Sequence, residues 1–196
     1  SYSDVPDPVK VHPLLALALT EMTKTEDDAA LAPARHAIQL APASSADKSA
    51  DVANARRLIA ESLTDGGNAR EAEPMLREVL HADLLRDGDN SDDAIQDYIQ
   101  LGDTLYELSR FDDSIAASRK AIELATRKHG RVHSSVMYAF EILARAQKDS
   151  GRVDDAVKSA SEAASIAAQV FGEKHRETIV ARSNLFIDMR FQGRYA

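Results

Sequence analysis

The chain has 196 residues, a formal net charge of −8 and a pI of about 5.2; 44% of residues are hydrophobic, only 5% are aromatic, and Trp and Cys are absent. That length suits one compact domain or a short repeat array, and apolar weight carried by Ala, Leu, Ile and Val favours close-packed helices over a β-sandwich. The acidic balance argues against nucleic acid or an anionic membrane as partner, and the lack of Cys excludes disulfides and thiolate metal sites while leaving the compartment, cytoplasmic or periplasmic, open. No run of 18 apolar residues is long enough to cross a bilayer, and no signal peptide precedes the first apolar stretch.

Residues 1–11, with Pro6 and Pro8 around Asp7, read as an extended lead-in. From about His12 to Lys24 the unbroken run Leu14 to Leu19 predicts a buried helix, with Pro13 tolerated in its first turn. A second helix runs to about Leu40, with Pro33 near its start, and Pro42 and Ser44-Ser45 end it. Further along, the spacing predicts helices over roughly 48–65, 69–86, 92–108, 112–128, 134–149, 153–171 and 176–191.

A period of 42 residues orders these elements. The turn Gly151-Arg152-Val153-Asp154-Asp155-Ala156 is preceded by Ser109-Arg110-Phe111-Asp112-Asp113-Ser114 and Gly67-Asn68-Ala69-Arg70-Glu71-Ala72, and it restarts at Gly193-Arg194-Tyr195-Ala196, each 42 apart. Eight residues before each turn stand Leu17, Ile59, Leu101, Leu143 and Leu185; seven before stand Ala18, Ala60, Gly102, Ala144 and Phe186. The small column lets paired helices approach closely, and Phe186 breaks it. Gly88, Gly130 and Gly172 recur on the same period and fit helix C-caps with positive φ. Acidic residues follow three of the turns, where helix N-termini favour carboxylates.

A fixed period of this size is the signature of stacked helical hairpins. The large-small pairs Leu17-Ala18, Ile59-Ala60, Leu101-Gly102 and Leu143-Ala144, the turn Gly193-Arg194-Tyr195, and the small residues Ala30, Ala72 and Ala156 resemble tetratricopeptide repeats. The 42-residue length, with Gly130-Arg131-Val132-His133 and Gly172-Glu173-Lys174-His175, resembles the kinesin-light-chain type, although Ser134 and Arg176 stand where that type has proline. The resemblance implies an all-α, right-handed superhelix of about four and a half hairpins over residues 12–196, with repeats near 12–47, 48–90, 91–133 and 134–175 and a partial copy at 176–196. The absent initial Met and the unfinished last repeat predict a piece of a longer protein.

The family also implies that the first helix of each hairpin lines a concave face where a protein or peptide binds. Counting back from the turns places Asn54, Arg57, Glu61, Gln96, Gln100, Asp103, Tyr138, Glu141, Arg145 and Asn184 on that face, beside Tyr106, Lys148, Ser183 and Ile187. Such a mixture of amide, charged and tyrosine groups suits an extended peptide, and an ordinary solvated helix face is the plainer reading. The Asp87–Asp93 loop has EF-hand-like alternation but lacks the glycine and the closing glutamate, so loop and helix cap explain it better. His129 and His133 have zinc-ligand spacing with Gly130 between them and no third ligand. No nucleophile set or phosphate loop is present.

The sequence therefore predicts a non-catalytic interaction scaffold with neither cofactor nor metal. Two alternatives stand beside it. One is a ligand-sensing domain of a larger signalling protein, such as a kinase or transcriptional regulator. The other is self-association into a homodimer through the C-terminal hairpin, whose Leu185, Phe186 and Met189 form an apolar face.

Overall fold

The computed structural model describes residues 50–191 and Gly193. The predicted lead-in, the first hairpin and the last three residues lie outside them. Among the described residues there are seven α-helices and no strand: α1 (Ala50–Asp65), α2 (Ala69–Asp87), α3 (Asp92–Glu107), α4 (Phe111–His129), α5 (Ser134–Asp149), α6 (Val153–Phe171) and α7 (Arg176–Phe191). Each begins and ends within two residues of the span that the repeat period predicts. Two compact units divide the chain, Ser1–Gly88 and Asp89–Ala196, so α1 and α2 belong to the first and α3 to α7 to the second.

Three turns join the helices of a hairpin, and all are built alike. The Asn68 N–H donates to Leu63 O, Arg110 to Leu105 O and Arg152 to Gln147 O, at 2.7, 2.9 and 2.7 Å. The residue before each donates three residues back, to Thr64, Tyr106 and Lys148. This pair of bonds is a Schellman C-cap, which needs a left-handed residue at its centre. Gly67 and Gly151 supply it, at φ 79° and 83°. The middle turn has Ser109 at φ 58°, a backbone conformation in which a Cβ crowds the following carbonyl.

Close approach then sets the hairpin interior. Ser114 Oγ on α4 donates to the Gly102 carbonyl on α3 at 2.7 Å. A Cβ at Gly102 would lie 3.0 Å from Ser118 Oγ, so even alanine would crowd this crossing. Ala60 and Ala72 in the first unit, and Ala144 and Ala156 in the second, are likewise buried. The large column beside them fills the spaces: Ile59, Leu101 and Leu143 are all buried. Phe186 follows the expectation of its broken column and is 46% exposed.

In the second unit one core runs through all five helices, from Ile95 and Ile99 on α3 through Leu124 on α4, Met137 on α5 and Ile166 on α6 to Ala181 on α7. Helices α3 and α4 form one hairpin and α5 and α6 the next; α4 packs on α5, α6 on α7, and α3 on α5. This is a solenoid of two hairpins plus a further helix. In the first unit Ile59 on α1 and Leu76 on α2 are fully buried.

Ser109→Gly removes the one non-glycine residue with positive φ among the described residues. It is expected to raise unfolding stability by up to about 1 kcal/mol, read as a higher urea midpoint at unchanged slope. An unchanged or lower midpoint would show that the serine is not strained.

Candidate functional site

The face expected to bind is carried by the first helix of each hairpin. On α1, Glu61 is exposed and Asn54 half-buried. Arg57 is buried instead, and its guanidinium reaches α2, where it meets Asp83 at 2.7 Å. Asp83 also receives Arg86 at 2.7 Å, and Asn54 Oδ1 accepts from Arg57. Arg57 therefore holds the α1–α2 hairpin together and is not part of an exposed face. Leaving one member of such a pair buried alone is costly, about 3 kcal/mol or more.

On the second unit the predicted residues spread over α3, α5 and α7. Gln96 is exposed, whereas Gln100 is buried. Asp103 and Arg145, one period apart, meet directly: Arg145 donates to Asp103 Oδ1 and to Glu107 Oε1, each at 3.0 Å. The same guanidinium lies 4.1 Å from the ring centroid of Tyr106, whose hydroxyl donates to Asp149 at 2.6 Å. These contacts tie α3 to α5 and occupy the charge of Arg145. Burial lowers the Arg145 pKa, but Asp103, Tyr106 and Glu107 together outweigh it and raise the pKa above its ordinary value.

Between α5, α6 and α7 a small cleft opens, lined by Glu141, Arg145, Lys148, Asn184, Ile187 and Asp188 above a floor of alanines. It brings together Glu141, Arg145 and Asn184 of the predicted set, with Asn184 exposed. Its water-accessible space is about 50 Å³, room for a few waters. Lys148 meets Asp188 across it at 3.3 Å. Tyr138, 40% exposed, stands one turn before Glu141 on α5.

The comparisons agree with this architecture. The tetratricopeptide repeat family model matches residues 95–127, the α3–α4 hairpin. Over those residues the chain matches a tetratricopeptide repeat. Solved structures share the fold: the nearly identical TPR-like repeats of a Podosopora anserina protein assigned as a kinesin light chain superpose with a TM-score of 0.77 at 14% identity, covering 96% of this chain and 89% of that one. A second structure of those repeats gives 0.75 at 13% identity, covering 96% and 90%. BtubC (BKLC) from P. vanneervenii gives 0.75 at 17%, covering 95% and 76%. No curated protein matches by sequence. Tetratricopeptide repeats are in general protein–protein interaction scaffolds rather than catalysts, and among the described residues no helix is long and apolar enough to cross a membrane.

In this tetratricopeptide repeat fold, Glu141 is the electrostatic anomaly. One period earlier its place is taken by Ile99, a core residue. Glu141 Oε1 is accordingly buried without a hydrogen-bond partner. Burial, then repulsion from Glu177, push its pKa up to about 7, with Arg145 opposing. Burial, then Glu177 and Glu141, raise the Tyr138 hydroxyl as well. Asp188 lines the cleft, Glu177 acts on Glu141, and Glu107 and Asp149 bind Arg145 and Tyr106, although counting along the sequence selects none of the four. All four sit outside the columns used for that face.

The acidic loop is explained by its neighbours. Asp89 meets Arg127 at 2.9 Å, and Asp92 meets Lys128 at 2.9 Å and His129 at 2.6 Å. Among the described residues no group of three or more His, Asp or Glu is arranged to hold a metal.

Because the folded pKa of Glu141 is raised, its contribution to stability is fully present below its ordinary value of 4.5 and is lost as pH rises through about 7. Raising the pH from 6 to 8 is therefore expected to lower the melting temperature of the wild type more than that of Glu141→Gln. A carboxyl ¹³C titration midpoint near 7 is the direct check; a midpoint near 4.5 would contradict the buried placement.

Proposed function

We propose that this protein is a non-catalytic scaffold that binds a protein or peptide along the face lined by α3, α5 and α7. The repeat units near 48–90, 91–133 and 134–175, with a partial unit from 176, serve as its frame. The observation that carries this reading is that polar and aromatic groups not needed for packing lie on these first helices. Gln96 and Asn184 are exposed, Tyr138 is 40% exposed, and Glu141 Oε1 lacks a partner at the cleft. Extended peptides use such groups for backbone and side-chain hydrogen bonds. An acidic chain of net charge −8 favours a partner that is neutral or basic.

The α5–α6–α7 cleft, at about 50 Å³, is smaller than the several hundred Å³ usual for a bound metabolite. Self-association keeps one observation in its favour: Ile179, Phe186, Ile187 and Phe191 on α7 are 55%, 46%, 50% and 72% exposed.

Selection from a random peptide display library tests the reading. Peptides enriched on the wild type should bind the Gln96→Ala/Tyr138→Ala/Asn184→Ala variant at least about tenfold more weakly, a loss of about 1.4 kcal/mol. Equal binding by both proteins would remove the α3–α5–α7 face from consideration. A concentration-dependent dimer abolished by Phe186→Glu, with no peptide enriched, would favour self-association instead.

A further inference from the structure

Each hairpin of the second unit is entered through the same position of the 42-residue period, occupied by Ser91, His133 and His175. All three side chains cap the helix that follows. Ser91 Oγ accepts from the Ala94 N–H at 3.0 Å. His133 Nδ1 accepts from the Ser135 N–H at 3.2 Å, and His175 Nδ1 accepts from the Glu177 N–H at 3.3 Å. The first helical turn leaves N–H groups without backbone acceptors, and a side-chain acceptor here fixes the helix start.

Serine keeps its acceptor at any ordinary pH. An imidazole accepts only through an unprotonated nitrogen. Once both ring nitrogens carry protons, Nδ1 becomes a donor facing another donor, and the cap is replaced by repulsion. The positive end of the helix dipole adds to that repulsion.

The rings are held by a second repeated contact. His133 stacks on His129, the last residue of α4, with centroids 4.1 Å apart; His175 stacks on Phe171, the last residue of α6, at 4.9 Å. Around His133 stand His129 from α4 and Asp92 from α3. Asp92 is paired to both His129 and Lys128, while Arg131 of the intervening loop is paired to Glu162 on α6. Around His175, Glu173 is paired to Arg182, and Arg176 and Glu177 stand in the first turn of α7. A proton on His133 therefore meets another imidazole at stacking distance as well as the dipole of α5.

We propose that His133 is a titrating helix cap, which holds the start of α5 at neutral pH and releases it on mild acidification. Ser91, in the same position, leaves the start of α3 indifferent to pH. Because α5 carries Tyr138, Glu141 and Arg145, acidification loosens a helix that bears three residues of the candidate binding face. Burial and the neighbouring His129 lower the His133 pKa from its ordinary 6.5, with Asp92 opposing. A lowered folded value makes this cap's stabilisation complete above about pH 6.5 and lost as pH falls below it. This direction is opposite to that of Glu141, so the two can be separated in one titration.

Amide hydrogen exchange on the full 196-residue chain tests the proposal, using exchange rates corrected for the intrinsic effect of pH. Between pH 7.5 and 5.5 the Ser135 amide should lose about fivefold in protection, the equivalent of one lost cap, while Ala94 stays unchanged. In His133→Ser, which copies the Ser91 cap, the loss should disappear. His129→Phe, which copies the Phe171 stack, should shift the Ser135 transition. Ring ¹⁵N shifts of His133 supply an independent readout and should show Nδ1 unprotonated at pH 7.5. Nδ1 protonated at pH 7.5, or the same loss of protection in His133→Ser, would overturn it.

Discussion

Everything in the second unit depends on how closely paired helices approach. The Gly102 carbonyl accepts from Ser114 across the α3–α4 crossing, and Ala144 and Ala156 are buried at the corresponding places of α5 and α6. Small residues here bring the helix backbones together, so the larger side chains, Leu101 and Leu143 among them, are driven between helices and fill the core. Where the small column fails, at Phe186, α7 keeps an apolar strip on its surface. Fold and candidate binding surface thus follow from one spacing rule: the column that packs is fixed, and the neighbouring columns of the first helices are free to vary.

Those free columns hold the chemistry. The position of Asp103 is taken by Arg145 one period later, and the two meet as an ion pair. The position of Ile99 is taken by Glu141, which places a carboxyl where the preceding repeat buries a hydrocarbon. In the first unit the same column holds Arg57, which reaches Asp83; one period later, at Ala125, the place of Asp83 is taken by a buried methyl group. A core position has thus been converted to a polar one twice, once with a partner and once with an unpartnered oxygen. The second places a carboxyl whose pKa is pushed up to about 7.

The helices were legible because punctuation and periodicity agreed. Glycines in the left-handed region, acidic first turns and the large-small pair all recur every 42 residues. Even Ser109, which breaks the glycine column, adopts the backbone of that column, since the surrounding bonds of the turn outweigh its own preference. The candidate face was legible only in part. Counting along a helix gives direction but not reach: it points Arg57 outward, although its long side chain turns to α2. Gln100 shares a column with Ile142, and burial was the better inference there. Glu177 and Asp188 act from α7 on side chains of α5, and no periodicity within one helix reveals a contact between two.

The small-residue crossing sets the hairpin. Replacing Ala156 with Leu inserts a branched side chain at a position that is 0% exposed, whereas Ser161→Leu adds the same group on the exposed side of the same helix. Urea denaturation of the two variants is the direct measurement. Ala156→Leu should lose about 2 kcal/mol and Ser161→Leu no more than about 0.5 kcal/mol. Equal stability of Ala156→Leu and the wild type would contradict the account.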